Sequence, residues 1–183
     1  MYRKIFVPVD GSETSLAGVQ EAISIAKSLG SEMRLFHVVD EFVLDYSLGA
    51  GVYGGDLIDA LREGGKRILD SAAEMVRKEG VGVSCRLVES IGGPAAGLIV
   101  ESANSWGADL IVMGTHGRRG LARMAMGSDA EGVVRESIAP VLLVHRGKRA
   151  AQQKPHSAAK TSPGVSSAVA EAYALVSTGM RPL

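Results

Sequence analysis

DLIVMGTHGRRGLARMAMGS, residues 109–128, is the stretch that decides the fold. It opens with a short apolar run typical of a buried parallel strand and continues with glycines spaced as G-x2-G-x9-G-S from Gly114 to Ser128. Glycine lets main-chain N–H groups approach an anion closely, and the beginning of a helix directs unpaired N–H groups at one. Three arginines between the glycines add positive charge. The stretch therefore predicts a strand, a phosphate-binding loop and a helix that begins at Ser128.

Four more apolar runs have the length and composition of strands, and helical periodicity fills the intervals between them. We predict strands at 5–9, 33–39, 81–87, 109–113 and 140–144. We predict helices at 16–29, 57–80, 94–105 and 128–137. This alternation predicts an α/β fold, an open five-stranded parallel sheet with helices on both faces. In such sheets ligands bind beyond the carboxyl ends of the strands, where the strand order reverses.

Individual residues refine these elements. Pro8 has no N–H to donate, so we expect it at the end of the first strand. The pair Gly64 and Gly65 is expected to weaken the middle of the long second helix. Residues 81–87 alternate like a half-buried edge strand, and we interpret Cys85 within them as a packed thiol rather than a nucleophile. A single cysteine excludes an internal disulfide.

The composition limits the class of protein. Hydrophobic residues make up 46% of the 183, enough for a core, and the formal net charge is zero with an isoelectric point near 6.9. No overall field therefore favours a nucleic acid or an anionic membrane surface. No run reaches the roughly 18 apolar residues of a membrane span, and the first apolar run is too short for a signal peptide. We expect a cytoplasmic protein with neither nucleic-acid nor membrane partners.

The chain divides near residue 147. Residues 1–147 carry the alternating strands and helices, whereas 148–183 begin with a segment rich in Lys, Ala, Gln, Ser and Pro, which is typical of a flexible linker. Apolar residues from Val165 to Val176 have the spacing of a short amphipathic helix. Two interpretations of this helix stay open, a frayed tail and a docking or oligomerisation helix.

Three stretches resemble the universal stress protein (UspA-type) family, and together they cover roughly residues 1–146. They are IFVPVDGSETS at 5–15, LFHVVD at 35–40, and the region from Gly107 to Arg146 that contains the glycine array. In the family this array is the ATP-binding signature, so the chain resembles the ATP-binding branch. The resemblance implies a Rossmann-like sheet of the adenine nucleotide alpha-hydrolase type with strand order 3-2-1-4-5. It also implies a homodimer paired through strand five, residues 140–145 here.

The resemblance further implies a site for ATP, or for ADP or AMP, with Mg²⁺. The positions that match the family's site are Pro8, Val9, Asp10, Val38, Met113, Gly114, Gly117, Arg118, Gly127 and Ser128. By this resemblance Pro8 and Val9 line the site, and Asp10 lies near the ribose and phosphates, where its carboxylate helps to hold Mg²⁺. The main chain of Val38 is implied to meet adenine.

The glycine array supplies the rest of the implied site. Gly114 and Gly117 let the loop pass close to ribose and phosphate, Gly127 and Ser128 hold the phosphates at a helix start, and Arg118 and the arginine after it pair with phosphate oxygens. Asp129 departs from the family, in which many members have an apolar residue or a threonine after the G-S. Its charge suits the helix dipole but opposes a triphosphate, so the choice among ATP, ADP and AMP stays open.

Several of these residues also have a purely structural interpretation. Asp10 is either the nucleotide-binding aspartate or a helix-capping residue at a turn, and Ser128 is a phosphate ligand, an ordinary N-cap or both. Each arginine of the loop is either a phosphate partner or a solvated surface residue. We interpret His37 as a packed strand histidine, and we do not assign His116 as a catalytic base because no positioned carboxylate accompanies it.

Three functions are compatible with these features. The first is a regulatory stress-response protein in which an adenine nucleotide alters conformation or partner binding. The second is a slow ATPase or self-phosphorylating enzyme, although the chain has neither a G-x4-G-K-[ST] loop nor a kinase motif set. The third is an interaction module that binds no nucleotide. The first is the hypothesis we favour, since no general base or nucleophile accompanies the glycine array.

Overall fold

The computed structural model describes residues 2–40, 54–90, 92–115 and 126–145. Three predictions lie outside these residues: the roles of Gly117 and Arg118, and the character of the segment 148–183. The interpretation of His116 also lies outside them. In chain order the elements are β1 (Lys4–Pro8), α1 (Glu13–Leu29), β2 (Glu32–Asp40), α2 (Gly54–Lys78), β3 (Val83–Ser90), α3 (Ala95–Trp106), β4 (Leu110–Gly114), α4 (Ser128–Glu136) and β5 (Val141–Val144).

The five strands form one sheet in the order β3-β2-β1-β4-β5, and every neighbouring pair is parallel. The predicted strand order and fold class are therefore confirmed. Pro8 is the last residue of β1, as its missing N–H requires. Strands β2 and β3 extend further toward their carboxyl ends than the apolar runs predict, because they continue into the polar Asp40 and Ser90. Pro94 is the N-cap of α3 rather than its first helical residue.

In the described part of the chain, two helices pack on each face of the sheet, and each face has its own core because successive strand residues point to opposite sides. On one face α1 and α2 pack over a core that includes Ile5, Val7, Leu35, Val112, Val19, Leu69 and Val76. On the other face α3 and α4 pack over a core that includes Phe6, Phe36, Ile111, Met113, Ile99, Ala103 and Val133. No helix in the described residues is long and apolar enough to cross a membrane.

The glycine pair in α2 does not interrupt the helix, which runs unbroken from Gly54 to Lys78. A Cβ atom at Gly65 would lie 2.7 Å from Cδ2 of His37 and 2.9 Å from Cδ1 of Leu87, whereas one at Gly64 would meet only the end of the Arg67 side chain, at 3.9 Å. Gly65 therefore lets α2 pack closely against the sheet. The weakening of the helix by the pair stays a prediction, and the contact with His37 and Leu87 gives a packing reason for glycine at position 65.

Cys85 is exposed on β3, and the prediction of a packed thiol is wrong. The alternation does mark an edge strand, since β3 pairs with β2 alone among the described strands, and Ser84 and Arg86 beside Cys85 are exposed as well. Partial desolvation raises the pKa of the thiol above its usual value. The neutral thiol is accordingly the dominant form at pH 7.

The strand order reverses between β1 and β4. The connection after β1 leads through α1 to β2 on one side of the sheet. The connection after β4 leads through α4 to β5 on the other side, so the two crossovers run in opposite directions. The register pairs Ile5 with Leu110 and Phe6 with Ile111. A crevice is expected beyond the carboxyl ends of these two strands, which is where such sheets bind ligands.

Candidate functional site

The turn after β1 is fixed by hydrogen bonds between polar side chains and the main chain. Oδ1 of Asp10 accepts a hydrogen bond from the main-chain N–H of Ser12 at 2.9 Å, and Gly11 between them has a φ of 80°, which favours glycine. Ser12 is the N-cap of α1, and its hydroxyl accepts from the main-chain N–H of Ser15 at 3.1 Å. The interpretation of Asp10 as the helix cap is therefore wrong. Asp10 is a half-buried turn residue at the edge of the sheet.

Ser15 connects this turn to the first residues of α1. It is 5% exposed, its hydroxyl donates to the carbonyl oxygen of Ser12 at 2.9 Å, and the main-chain N–H of Asp10 lies 3.4 Å from the same hydroxyl. The polar set Ser12, Thr14 and Ser15 was not among the predicted site residues. Its signal in the sequence is the run DGSETS, which combines a turn with a capping serine.

A histidine on β2 holds the end of β1. The main-chain N–H of Val9 donates to the carbonyl oxygen of Phe36 at 2.8 Å, and the carbonyl oxygen of Val9 lies 2.6 Å from Nδ1 of His37. Because a carbonyl can only accept, Nδ1 carries the proton in this contact. His37 is 7% exposed, so its interpretation as a packed strand histidine is confirmed.

Gly114, at the end of β4, is in direct contact with the first turn of α1. A Cβ atom there would lie 2.9 Å from both the carbonyl carbon and the oxygen of Thr14 and 3.1 Å from the N atom of Ser15. Gly18, one turn along α1, faces the same place, since its Cβ would lie 3.5 Å from the N atom of Gly114. Glycine at 114 is thus required by helix packing within the protein, whether or not a ligand also approaches it.

The neighbouring Met113 is 6% exposed, and its side chain lies in the core beneath α3 and α4. Only its main chain therefore reaches the site.

Val38 lies on β2, two residues beyond Phe36, which pairs with Pro8. It is consequently level with Asp10 across the end of β1. Val38 is half-buried, and its side chain packs against the core on the α3 and α4 face.

Thr115 joins the end of β4 to the beginning of α4. Its main-chain N–H donates to the carbonyl oxygen of Val144 at 3.0 Å, and its own carbonyl oxygen accepts from the N–H of Gly127 at 2.9 Å. The hydroxyl of Thr115 also lies 3.2 Å from Nδ1 of His145. The first turn of α4 is therefore held at the carboxyl edge of β4, beside Gly114.

Gly127, not Ser128, is the N-cap of α4, and no side chain caps this helix. The N-cap interpretation of Ser128 is wrong, because Ser128 is already the first helical residue. Gly127 has a φ of −63° and a ψ of 148°, which any residue adopts, so backbone conformation does not require glycine here. The first-turn N–H groups have no partners within the helix, and they form a region of positive potential.

Acidic side chains accompany this helix start. Asp129 and Glu131 lie in the first turn of α4, and both are exposed. Their carboxylates suit the helix dipole, and because they are exposed, solvent screens them from an anion bound at the main chain. The structure thus gives Asp129 an ordinary helix-stabilising position.

The predicted residues in the described part of the chain come together at one edge of the sheet. Pro8, Val9 and Asp10 end β1, Val38 lies beside them on β2, Gly114 ends β4, and Gly127 with Ser128 begins α4. Two helix beginnings, those of α1 and α4, meet the end of β4 from opposite faces of the sheet. Such an edge offers main-chain donors, the carboxylate of Asp10 and apolar walls to a ligand that contains phosphate.

A family model matches the chain over residues 1–145, and its description is the universal stress protein family. The match covers all nine strands and helices found in the described residues. Universal stress protein MJ0531 of Methanocaldococcus jannaschii is 38% identical over 151 residues, which are 81% of this chain and 85% of that relative.

Solved structures are similar over the same region. MJ0577, a universal stress protein of the same organism, has a TM-score of 0.70 at 30% identity, covering 80% of this chain and 98% of its own. A universal stress protein in complex with cAMP has a TM-score of 0.56 at 26% identity, covering 79% of this chain and 97% of its own. One from Archaeoglobus fulgidus in complex with dAMP has a TM-score of 0.55 at 26% identity, covering 78% and 98%.

Proposed function

The chain belongs to the universal stress protein family, and on that premise we propose that it binds an adenine nucleotide at the carboxyl edge of β1 and β4. We propose further that occupancy of this site regulates the protein by altering its conformation or its partners. The cAMP and dAMP complexes of similar proteins support an adenine ligand, since both ligands combine adenine with a phosphate.

One observation carries the proposal: α4 begins at the sheet edge with no capping side chain. The hydrogen bond from Gly127 to Thr115 holds this helix start beside the end of β4. Uncapped main-chain N–H groups at a helix start favour an anion, and phosphate is the usual one. Glycine at 127 is not required by its backbone angles, so a close approach by a ligand is a reason for its presence.

The phosphates would lie against Gly127 and Ser128, and the sugar against Asp10 and Gly114. Adenine would lie against the main chain of Val38. Val9 contributes little directly, because its side chain is 3% exposed and its main-chain N–H and carbonyl already bond to β2. Gly117 and Arg118 would complete the phosphate side in this proposal, as the family resemblance implies.

We propose Asp10 as the protein's ligand for a nucleotide-borne Mg²⁺. Among the residues that the structure describes, no three His, Cys, Asp or Glu side chains come together as a metal site. Mg²⁺ usually keeps several waters and is held by one or two carboxylates together with substrate phosphates, which a single aspartate beside a phosphate site satisfies. Asp10→Asn should therefore reduce ATP affinity in Mg²⁺ to the value measured without the metal.

We also propose a homodimer through β5, residues 140–145. Strand β5 is one edge of the sheet, its four residues are apolar and half-buried, and Ile138 just before it is 86% exposed. The other edge, β3, presents the polar Ser84 and the charged Arg86, which discourage strand pairing. The two edges differ in the way expected if only β5 pairs with a second copy.

We propose that residues 1–147 form the domain and that 148–183 are a flexible extension. The family match ends at residue 145, immediately after β5, which supports this division. A chain shortened to residues 1–147 should unfold in one cooperative transition and bind nucleotide as the full chain does. Loss of either property would show that the extension belongs to the domain.

The experiment that tests the proposed function begins with freshly purified full-length protein. The protein is denatured, released small molecules are identified by mass, and the emptied protein is titrated with ATP, ADP and AMP in Mg²⁺ by calorimetry. We expect adenine nucleotide in the released fraction or saturable binding of at least one of the three. The absence of both would contradict the proposal and favour a module that acts through protein contacts alone.

A further inference from the structure

The parallel hydrogen-bond ladder between β1 and β2 ends at Val9, which makes one of the two main-chain hydrogen bonds to β2 that the ladder would give it. The N–H of Val9 donates to the carbonyl oxygen of Phe36 at 2.8 Å. In a parallel pair the next bond would run from the N–H of Val38 to the carbonyl oxygen of Val9. Within the described residues, the paired register ends earlier, at Pro8 and Phe36.

The imidazole of His37 donates a hydrogen bond to the carbonyl oxygen of Val9. Its Nδ1 lies 2.6 Å from the oxygen of Val9, and the ring is 7% exposed. The side chain between Phe36 and Val38 thus folds back onto the neighbouring strand and donates to the acceptor at which the next ladder bond would end. The backbone groups of Val38 point to the same side of β2 as those of Phe36, toward the end of β1.

The position of the imidazole depends on a glycine in α2. A Cβ atom at Gly65 would lie 2.7 Å from Cδ2 of His37, a distance that real Cβ atoms essentially never show. The same Cβ would lie 3.1 Å from Cγ2 of Val39 and 2.9 Å from Cδ1 of Leu87. Any side chain at this position therefore pushes the ring away from Val9 or moves the helix.

We propose that His37 is a positioning residue for the nucleotide: it ends the ladder at Val9, which leaves the main-chain N–H of Val38 to donate to the purine. Gly65 provides the space in which the ring makes this contact. The proposal rests on the proposed adenine site and deepens it. It gives a reason why β2, which pairs with β1 and β3, has the main-chain N–H of Val38 available as a donor at its carboxyl end. His37 does not touch the ligand and has no catalytic role.

The test compares two pairs of variants. His37→Leu keeps an apolar side chain in the space but removes the donor, whereas His37→Asn keeps an N–H near the position of Nδ1. Gly65→Ala displaces the ring, whereas Gly64→Ala, its neighbour in the same helix, meets no atom closer than 3.9 Å. Each protein is titrated with ATP and Mg²⁺, and the amide resonance of Val38 is followed during the titration.

We expect His37→Leu and Gly65→Ala to weaken ATP binding about tenfold, the effect of losing one hydrogen bond to the ligand. In both, the Val38 amide resonance should no longer move when ATP is added. His37→Asn and Gly64→Ala should bind within about twofold of the wild type, with the Val38 shift retained, because a conservative donor or an open position preserves the contact. The double variant His37→Asn/Gly65→Ala should bind like His37→Asn, since the smaller side chain leaves room for the added methyl group.

Binding by His37→Leu or Gly65→Ala that equals the wild type, with the Val38 shift intact, would overturn the inference and leave the proposed function standing. An equal loss in His37→Asn and His37→Leu would also overturn it, because the donor would then not be what matters. Wild-type protein that binds no adenine nucleotide would overturn the proposed function and this inference with it. The His37 variants change β2 and the glycine variants change α2. If one variant fails to fold, the other pair still tests whether the contact of His37 with Val9 supports ATP binding.

Discussion

The main-chain N–H of Gly127 donates to the carbonyl oxygen of Thr115 at 2.9 Å, across an interval of the chain that contains most of the glycine array. This hydrogen bond joins the end of β4 to the beginning of α4. It holds an uncapped helix start at the point where the strand order reverses. This contact between Thr115 and Gly127 is therefore part of the fold as well as of the proposed site.

Gly114→Ala is expected to destabilise the domain by about 1–3 kcal/mol, the usual cost of an overpacked core position. The added Cβ would lie 2.9 Å from the carbonyl group of Thr14, which is main chain and cannot turn aside. Urea denaturation measures the effect. Gly97→Ala is the matched control: it meets no atom within 4 Å in α3, and we expect it to be neutral or stabilising by about 0.5–1 kcal/mol. Equal stability of the two variants would contradict the packing role of Gly114.

Gly132→Ala should move α4 away from α3. Its Cβ would lie 2.6 Å from Cβ of Ala96, so we expect a loss of about 1–3 kcal/mol in the free energy of unfolding. The double variant Ala96→Gly/Gly132→Ala exchanges the two side chains and should recover most of that loss. A double-mutant cycle by denaturant titration measures the coupling. Additive effects of the two single changes would show that this contact does not set the spacing of the helices.

Asp109 should make stability depend on pH in the acidic range. Hydrogen bonds from the main-chain N–H groups of Arg3 and Lys4 to its Oδ2, at 2.8 and 3.0 Å, hold the pKa of the carboxyl below its usual value. Because the folded-state pKa is depressed, the contribution is present above the unfolded-state pKa of about 3.9 and is lost as pH falls through the folded-state pKa. Asp109→Asn should therefore be less stable than the wild type at pH 7.

The difference between wild type and Asp109→Asn should shrink steadily as the pH falls below about 4, where the carboxyl of the unfolded wild-type chain begins to take up a proton while that of the folded chain is still ionised. Urea titrations of both proteins from pH 7 to pH 3 test this. The carboxylate is exposed, so added salt should also reduce the difference. A difference that stays constant across this range would mean that the charge of Asp109 contributes nothing to folding.

Ile138→Asp should disrupt the proposed dimer without unfolding the domain. The side chain is 86% exposed within one copy, so the change should alter the unfolding free energy of the monomer by no more than about 0.5 kcal/mol. In sedimentation velocity we expect a dimer for the wild type and a monomer for the variant. Tyr2→Asp, at an exposed residue before β1, is the control and should remain dimeric. A wild type that sediments as a monomer would contradict the dimer.

The sequence predicts much of the architecture because the relevant signals are local. Short apolar runs place β1, β4 and β5 within a residue or so, and the end of α1 coincides with the predicted end at residue 29. Helix α4 begins at Ser128, where the glycine array places it. These features depend on neighbouring residues in the chain, which pattern and capping chemistry reveal.

The features that the sequence does not reveal depend on residues far apart in the chain. The contact of Gly114 with Thr14 and that of Gly65 with His37 require knowledge of which helix crosses which strand. The exposure of Cys85 likewise follows from its strand having a neighbour on one side only. One further feature is local: the use of Ser12 rather than Asp10 as the cap of α1 depends on the detailed course of one turn, which the residue types alone do not specify. Glycines of identical appearance in the sequence thus have different functions in the fold.

The most direct test of the central claim is the ATP affinity of Gly127→Val beside that of Gly97→Ala, by calorimetry in Mg²⁺. Valine adopts the backbone angles found at 127, so the domain should remain folded while the side chain covers the start of α4. We predict that Gly127→Val weakens ATP binding at least about tenfold, since charge-assisted bonds to phosphate are strong, and that Gly97→Ala binds as the wild type does. Unchanged affinity in a folded Gly127→Val protein would contradict the claim that the phosphates bind at this helix start.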